Sequence, residues 1–205
     1  MINNTSKWLL FFGLSLLFLA CDAPESAYHS WSKTGGGSEN LKYSSLNQID
    51  TTNYAKLGVA WVYYSEKNDS TKFGPMECNP IVVDGVMYGV SPKLKLFAVN
   101  AATGKELWTF NPADSVANKT WHRSSVNMNR GVAYWANGND KRVIYTVGPI
   151  VFCVNAVTGN LVKSFGQEGG INLVNGLDRN PDKLFVAPTS PVMVYKNLFF
   201  VSGLV

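Results

Sequence analysis

Leu96–Lys105 (LFAVNAATGK) and Val151–Asn160 (VFCVNAVTGN) align residue for residue without a gap, and this pair decides the fold. Each copy runs from an apolar, strand-forming stretch into Asn-x-x-Thr-Gly. In that loop the Asn and Thr side chains can cap backbone N–H groups while Gly takes the left-handed turn position. Asn100 to Asn155 is a step of 55 residues. Around the two copies, hairpin signals follow one another. Ile81-Val82-Val83 and Val86-Met87-Tyr88 flank Asp84-Gly85, a pair that favours a type I′ turn. A second hairpin is expected over Val192–Val201 around Lys196-Asn197, and a third over Tyr134–Tyr145 around the polar stretch Ala136–Lys141 (ANGNDK).

A self-similar period of this size, built from short strands with little helical periodicity beyond residue 57, signals a β-propeller blade of four antiparallel strands. Each Asn-x-x-Thr-Gly loop joins the outer strands of a blade. The expected fold is therefore all-β. Roughly 165 residues follow the expected leader and tether, which at the 55-residue step makes about three blades. A propeller ring closes with four to eight. On edge-strand logic, the chain is expected to be the N-terminal part of a longer propeller.

The 205 residues are 46% hydrophobic, 13% aromatic and 16% charged, which excludes a disordered chain and a polytopic membrane protein. The formal net charge is +4, but the basic residues are scattered from Lys33 to Lys196, so no nucleic-acid partner is expected. Cys21, Cys78 and Cys153 are too few and too widely spaced for a disulfide framework or a zinc site.

Residues 1–20 carry one lysine, Lys7, then the apolar run Trp8–Ala20 (WLLFFGLSLLFLA), too short to span a bilayer as a helix. This is the pattern of a signal peptide. Phe18-Leu19-Ala20-Cys21 resembles a bacterial lipobox, with Cys21 the lipidated residue after cleavage; an ordinary secretory signal with an incidental cysteine and an uncleaved anchor are the other readings. Residues 21–40, rich in Ser, Gly and small polar residues, read as a tether, and 41–205 as the propeller segment. The protein is thus expected to be exported, periplasmic or outer-membrane-associated, and held to the membrane through a lipid anchor.

Ala98-x-Asn100-x-x-Thr103-Gly104-Lys105-Glu106-x-Trp108 resembles the tryptophan-docking motif of the eight-bladed quinoprotein propellers. The second copy has Lys163 at the tryptophan position, so the contact there is expected to be looser or supplied by Phe165. Trp31–Gly36 (WSKTGG), Lys42–Ile49 (KYSSLNQI), Leu57–Tyr63 (LGVAWVY), Glu77–Gly89 (ECNPIVVDGVMYG) and Asn129–Trp135 (NRGVAYW) look like the opening of pyrroloquinoline quinone (PQQ) dependent dehydrogenases. The sugar and alcohol dehydrogenases of that group, including the membrane-associated glucose type, are the most similar.

The resemblance implies PQQ and calcium as cofactors, a sugar or alcohol as substrate, and a quinone or cytochrome as electron acceptor. PQQ is a planar tricarboxylate, so its pocket calls for a guanidinium, hydroxyl donors and flat walls. Arg130 matches the family's cofactor-contacting arginine, and Gly131 would let the backbone approach closely. Glu77 matches a glutamate near the cofactor, and Thr189 a threonine whose hydroxyl contacts it. Ser124-Ser125 stand about where alcohol-oxidising members carry adjacent cysteines, and Val126 about where the glucose type carries a histidine. His122 is offset by several residues and reads as a loop histidine. Calcium ligands and the catalytic aspartate of the family come from segments beyond Val205, so no catalytic residue is nominated.

A solvated arginine at a strand start and a surface glutamate are the bland readings of Arg130 and Glu77. A non-enzymatic propeller lipoprotein resembling the outer-membrane protein assembly scaffold would share the lipobox and the blade motif. Only Glu77, Arg130–Trp135 and Thr189 separate the two, because a scaffold does not need an arginine aimed at the propeller axis.

Overall fold

The computed structural model describes residues 30–66, 75–115, 128–180 and 183–203. Strands β1 (Ile81–Val83), β2 (Val86–Val90), β3 (Leu96–Asn100) and β4 (Glu106–Phe110) form an antiparallel sheet in that order. β5 (Ala133–Asn137), β6 (Asp140–Val147), β7 (Ile150–Asn155) and β8 (Gly170–Asn172) form a second, and β9 (Met193–Tyr195) and β10 (Leu198–Phe200) a separate hairpin. The two sheets are not closed into a barrel or ring. This is part of a β-propeller: two whole blades, with the hairpin opening a third.

The expected turns form for the expected reasons. Asp84 and Gly85 both adopt positive φ, +50° and +76°, which a type I′ turn requires. In the second sheet, Asn137 pairs with Asp140, so the polar stretch shrinks to a tight turn at Gly138-Asn139 and both strands run through it. In the repeated loops, Asn100 Oδ1 accepts the amides of Ala102 and Thr103 at 3.0 Å, and Asn155 Oδ1 those of Val157 and Thr158 at 3.0 and 2.9 Å.

An indole bridges consecutive sheets. Trp108, on β4, donates from Nε1 to the carbonyl of Ala156 at 3.1 Å, and its ring lies flat over Gly159. Gly159 has φ +75°, and a Cβ there would stand 2.8 Å from the ring, so both the turn and the indole exclude a side chain. Beneath this contact Tyr88, Val90, Leu96 and Ala98 of the first sheet meet Tyr145, Phe152 and Val154 of the second in one buried cluster. Each fully buried side chain of that size contributes about 1.5–3 kcal/mol.

The fourth strand of the second sheet is interrupted. Val162 N–H donates to Cys153 O at 2.9 Å and Cys153 N–H to Gly169 O at 3.1 Å, so residues 163–168 leave the ladder between these two bonds. Lys163, at the tryptophan position, is exposed at the start of this excursion. Phe165 makes the contact expected of it, its ring centroid 5.6 Å from that of Phe199 on β10. Trp135 Nε1 adds a hydrogen bond to Lys196 O at 2.8 Å.

Ordered pairing also begins before Leu41. Trp31, inside the stretch expected to be a tether, exchanges both backbone hydrogen bonds with Val82 at 2.9 Å. It covers the inner edge of β1, which would otherwise present unpaired N–H and C=O groups.

Candidate functional site

Three of the nominated residues sit at corresponding places: Glu77 just before β1, Arg130 just before β5, and Thr189 just before β9. Each therefore enters the first strand of its own sheet, and the backbone brings the three together. Arg130 N–H donates to Thr189 O at 2.9 Å, and Arg130 O accepts from Asn79 N–H at 3.1 Å and from Asn79 Nδ2 at 3.2 Å. Asn79 and Gly131 pair as a parallel bridge. Successive blades are thus laced at their entry points.

A buried polar line supports this lacing. Asn129 Oδ1 accepts the Gly131 amide at 2.9 Å, Asn129 Nδ2 donates to Thr146 O at 3.0 Å, and Thr146 Oγ1 donates to Pro188 O at 3.1 Å. Asn129 and Thr146 are 4% and 1% exposed, so each lost bond would leave a buried polar atom unpaired. Gly131 does permit a close approach, but what approaches is protein: a Cβ there would stand 2.9 Å from Pro191 Cγ and 3.2 Å from Asn79 O.

Arg130 itself is half exposed, with 52% of its side chain accessible, and its Nε stands 3.5 Å from Glu77 Oε2. That pair is long and solvated, worth little by itself. The Nη groups, the fork that can bind a carboxylate in bidentate fashion, have no partner among the described residues. The half-buried Thr189 hydroxyl likewise makes no hydrogen bond among the described residues. Cys78, next to Glu77, is fixed from below by the Val90 amide, which donates to its Sγ at 3.2 Å; burial pushes its thiol up to about 11.

A guanidinium whose Nη groups have no partner among the described residues and a hydroxyl meet at one end of an inter-blade junction, donors suited to a compact polycarboxylate, with Glu77 beside the guanidinium. Among the described residues, no three His, Cys, Asp or Glu side chains stand together as a metal would need. Cys21, His122, Ser124 and Ser125 lie outside the described residues.

Asn79, Asn129 and Thr146, which fix the junction, and Trp61, which donates to Ala101 O at 3.1 Å, were not among the sequence candidates. The two asparagines carried a faint signal, since each falls within four residues of a first strand.

Comparison with known proteins matches residues 31–205 to the PQQ family described as glucose/ethanol/alcohol dehydrogenase, beta-propeller domain. The chain belongs to that family. It is 36% identical over 135 residues to the alcohol dehydrogenase (quinone) dehydrogenase subunit of Gluconobacter oxydans (strain 621H), covering 65% of this chain and 16% of that protein. It is 27% identical over 193 residues to the quinoprotein glucose dehydrogenase of Escherichia coli (strain K12), covering 86% and 24%. The crystal structure of the quinohemoprotein alcohol dehydrogenase from Comamonas testosteroni superposes with TM-score 0.67 at 25% identity, over 91% of this chain and 24% of that one. The chain therefore spans about a quarter or less of these relatives' lengths.

Proposed function

We propose that this chain is the N-terminal part of a PQQ-dependent dehydrogenase that oxidises a sugar, glucose-like, or an alcohol and passes the electrons to a quinone or cytochrome. The observation that carries the reading is the convergence of Glu77, Arg130 and Thr189 at the entry points of three successive blades, with the Arg130 Nη groups unengaged among the described residues. In this reading Arg130 binds a cofactor carboxylate, Thr189 donates its hydroxyl, and Glu77 orients Arg130. PQQ, when bound, supplies the two-electron acceptor that no side chain can provide. Ser124 and Ser125 are assigned to the same cofactor on the family resemblance alone, and calcium would be held by residues beyond Val205. Membership in a dehydrogenase family and its relatives' names support the class.

We propose further that the protein is exported, periplasmic or outer-membrane-associated, and held to the membrane through lipid on Cys21. The leader run and the lipobox-like sequence support this part of the proposal.

The test is PQQ binding, followed by quenching of tryptophan fluorescence in the gene product as its cells make it. Arg130→Ala is expected to weaken binding at least about tenfold, the loss of one charge-assisted carboxylate contact, with far-UV circular dichroism unchanged. Unchanged affinity in the folded variant would overturn the assignment.

A further inference from the structure

The two four-stranded sheets join their second and third strands differently. β6 passes to β7 through Gly148-Pro149 alone, whereas β2 passes to β3 through Ser91–Lys95. The longer turn contains Leu94 at φ +62°, a left-handed conformation that a leucine adopts only under constraint, and its side chain is buried. Leu94 N–H donates to Ser91 O at 2.9 Å, Ser91 N–H to Lys95 O at 2.9 Å, and Lys95 N–H to Ser91 Oγ at 3.1 Å.

Glu66 closes this turn from outside the sheet. Its carboxylate accepts from Ser91 Oγ at 2.6 Å and from Lys95 Nζ at 2.8 Å, so one side chain grips both ends. The Lys93 amide donates to it as well. With its side chain 8% exposed, Glu66 is a nearly buried carboxylate that keeps its geometry only while these donors stay in place.

The turn stands at the end of the sheet where the chain enters β1. Pro80, just before that strand, has no N–H to give, and the β1–β2 ladder ends at Ile81 and Tyr88. Past that point the Val90 amide, next to Ser91, donates to Cys78 Sγ at 3.2 Å. Glu77 adjoins Cys78, with Oε2 3.5 Å from Arg130 Nε. Two residues suffice to connect the same strands in the second sheet. The longer turn and its buried carboxylate therefore serve something other than the connection.

We propose that Glu66 is a positioning residue for Glu77. By holding Ser91 and Lys95 it fixes the turn that follows Val90; Val90 fixes Cys78, and Cys78 sets the adjacent Glu77 against Arg130. The inference rests on the cofactor assignment made above, and it adds a layer behind the residues named there.

PQQ binding by the gene product as its cells make it, followed through tryptophan fluorescence, provides the test in two backgrounds. Glu66→Gln is expected to weaken binding about tenfold, the low end for losing a support behind a bound group. Added to Glu77→Gln, which itself weakens binding, the same change is expected to weaken it no further, because the residue it acts through is already gone. Lys95→Arg, which preserves the charge, is expected to bind as the unmodified protein does, and Lys95→Met to resemble Glu66→Gln. Far-UV circular dichroism monitors folding, and Ser91→Ala, a milder break in the same grip, replaces Glu66→Gln in both backgrounds if that variant does not fold. Unchanged affinity in Glu66→Gln beside a weakened Arg130→Ala would overturn this inference and leave the cofactor assignment standing. An equal loss in both backgrounds would overturn it too, marking Glu66 as a general support of the sheet. Unchanged affinity in Arg130→Ala would overturn the assignment and this inference with it.

Discussion

Trp108 on β4 and Ala156, 48 residues later in the next sheet, are joined by a single indole-to-carbonyl hydrogen bond of 3.1 Å. The carbonyl belongs to a loop whose shape is set by Asn155, and the ring needs the bare Gly159 to reach it. One side chain thus reads the conformation of the neighbouring blade, and packing between blades depends on local turn chemistry being right in both.

Trp108→Ala is expected to cost about 3 kcal/mol, the low end for removing a large aromatic from a packed site. Trp108→Phe keeps most of the ring contact but removes one of the two donors to Ala156 O, which still accepts from the Tyr88 hydroxyl at 3.2 Å, a loss of about 1 kcal/mol. Urea denaturation of the two variants separates the terms; equal midpoints would show that the hydrogen bond contributes nothing.

Two glycines with similar backbone angles should respond differently to alanine. Gly85 has φ +76° and open space around its Cβ position, so Gly85→Ala is expected to cost only the left-handed backbone penalty, about 1–2 kcal/mol. Gly159, at φ +75°, faces the Trp108 ring as well, and Gly159→Ala should cost at least about 1 kcal/mol more by displacing it. Comparable losses in thermal unfolding would show that the indole moves aside freely.

Burial pushes the thiols of Cys78 and Cys153 up to about 11, while in an unfolded chain they ionise near their ordinary value. Between about pH 9 and 11 the unfolded state therefore releases protons that the folded state keeps. Stability is full below that window and falls as pH rises through it, by about 1.4 kcal/mol per pH unit for each thiol. Urea midpoints measured from pH 8 to 11 should decline, and the double variant Cys78→Ala, Cys153→Ala should flatten the decline. An identical slope in the variant would remove the thiols as its cause.

Phe165 substitutes for the missing tryptophan at the second junction, so Phe165→Ala should release the β9–β10 hairpin more than it destabilises the two whole sheets. With about 1–2 kcal/mol of local packing gone, tryptic cleavage after Lys196 is expected to quicken about tenfold. Cleavage at the original rate would place the hold on the hairpin in Trp135 and its bond to Lys196 O instead.

Turn residues and the 55-residue repeat were legible because they act locally: Asp84-Gly85 and the Asn-x-x-Thr-Gly loops specify their conformations within a few residues. Lys163 at the tryptophan position was equally visible, and so was Phe165 as its replacement. The excursion of residues 163–168 was not, because it depends on two backbone bonds to Cys153 rather than on any side-chain pattern. Trp31 looked like part of a polar tether, since its partner, Val82, lies 51 residues away.

By itself, the sequence determined the all-β class, the blade unit, the hairpins and the three candidate residues Glu77, Arg130 and Thr189. Tertiary structure alone decided that those three meet, that Asn79, Asn129 and Thr146 hold them there, and that Trp61 repeats the role of Trp108. Strand pairing and turn type follow from neighbours in the chain, whereas a junction between blades forms only when separately folded sheets bring distant carbonyls, rings and guanidinium groups to the same few ångströms.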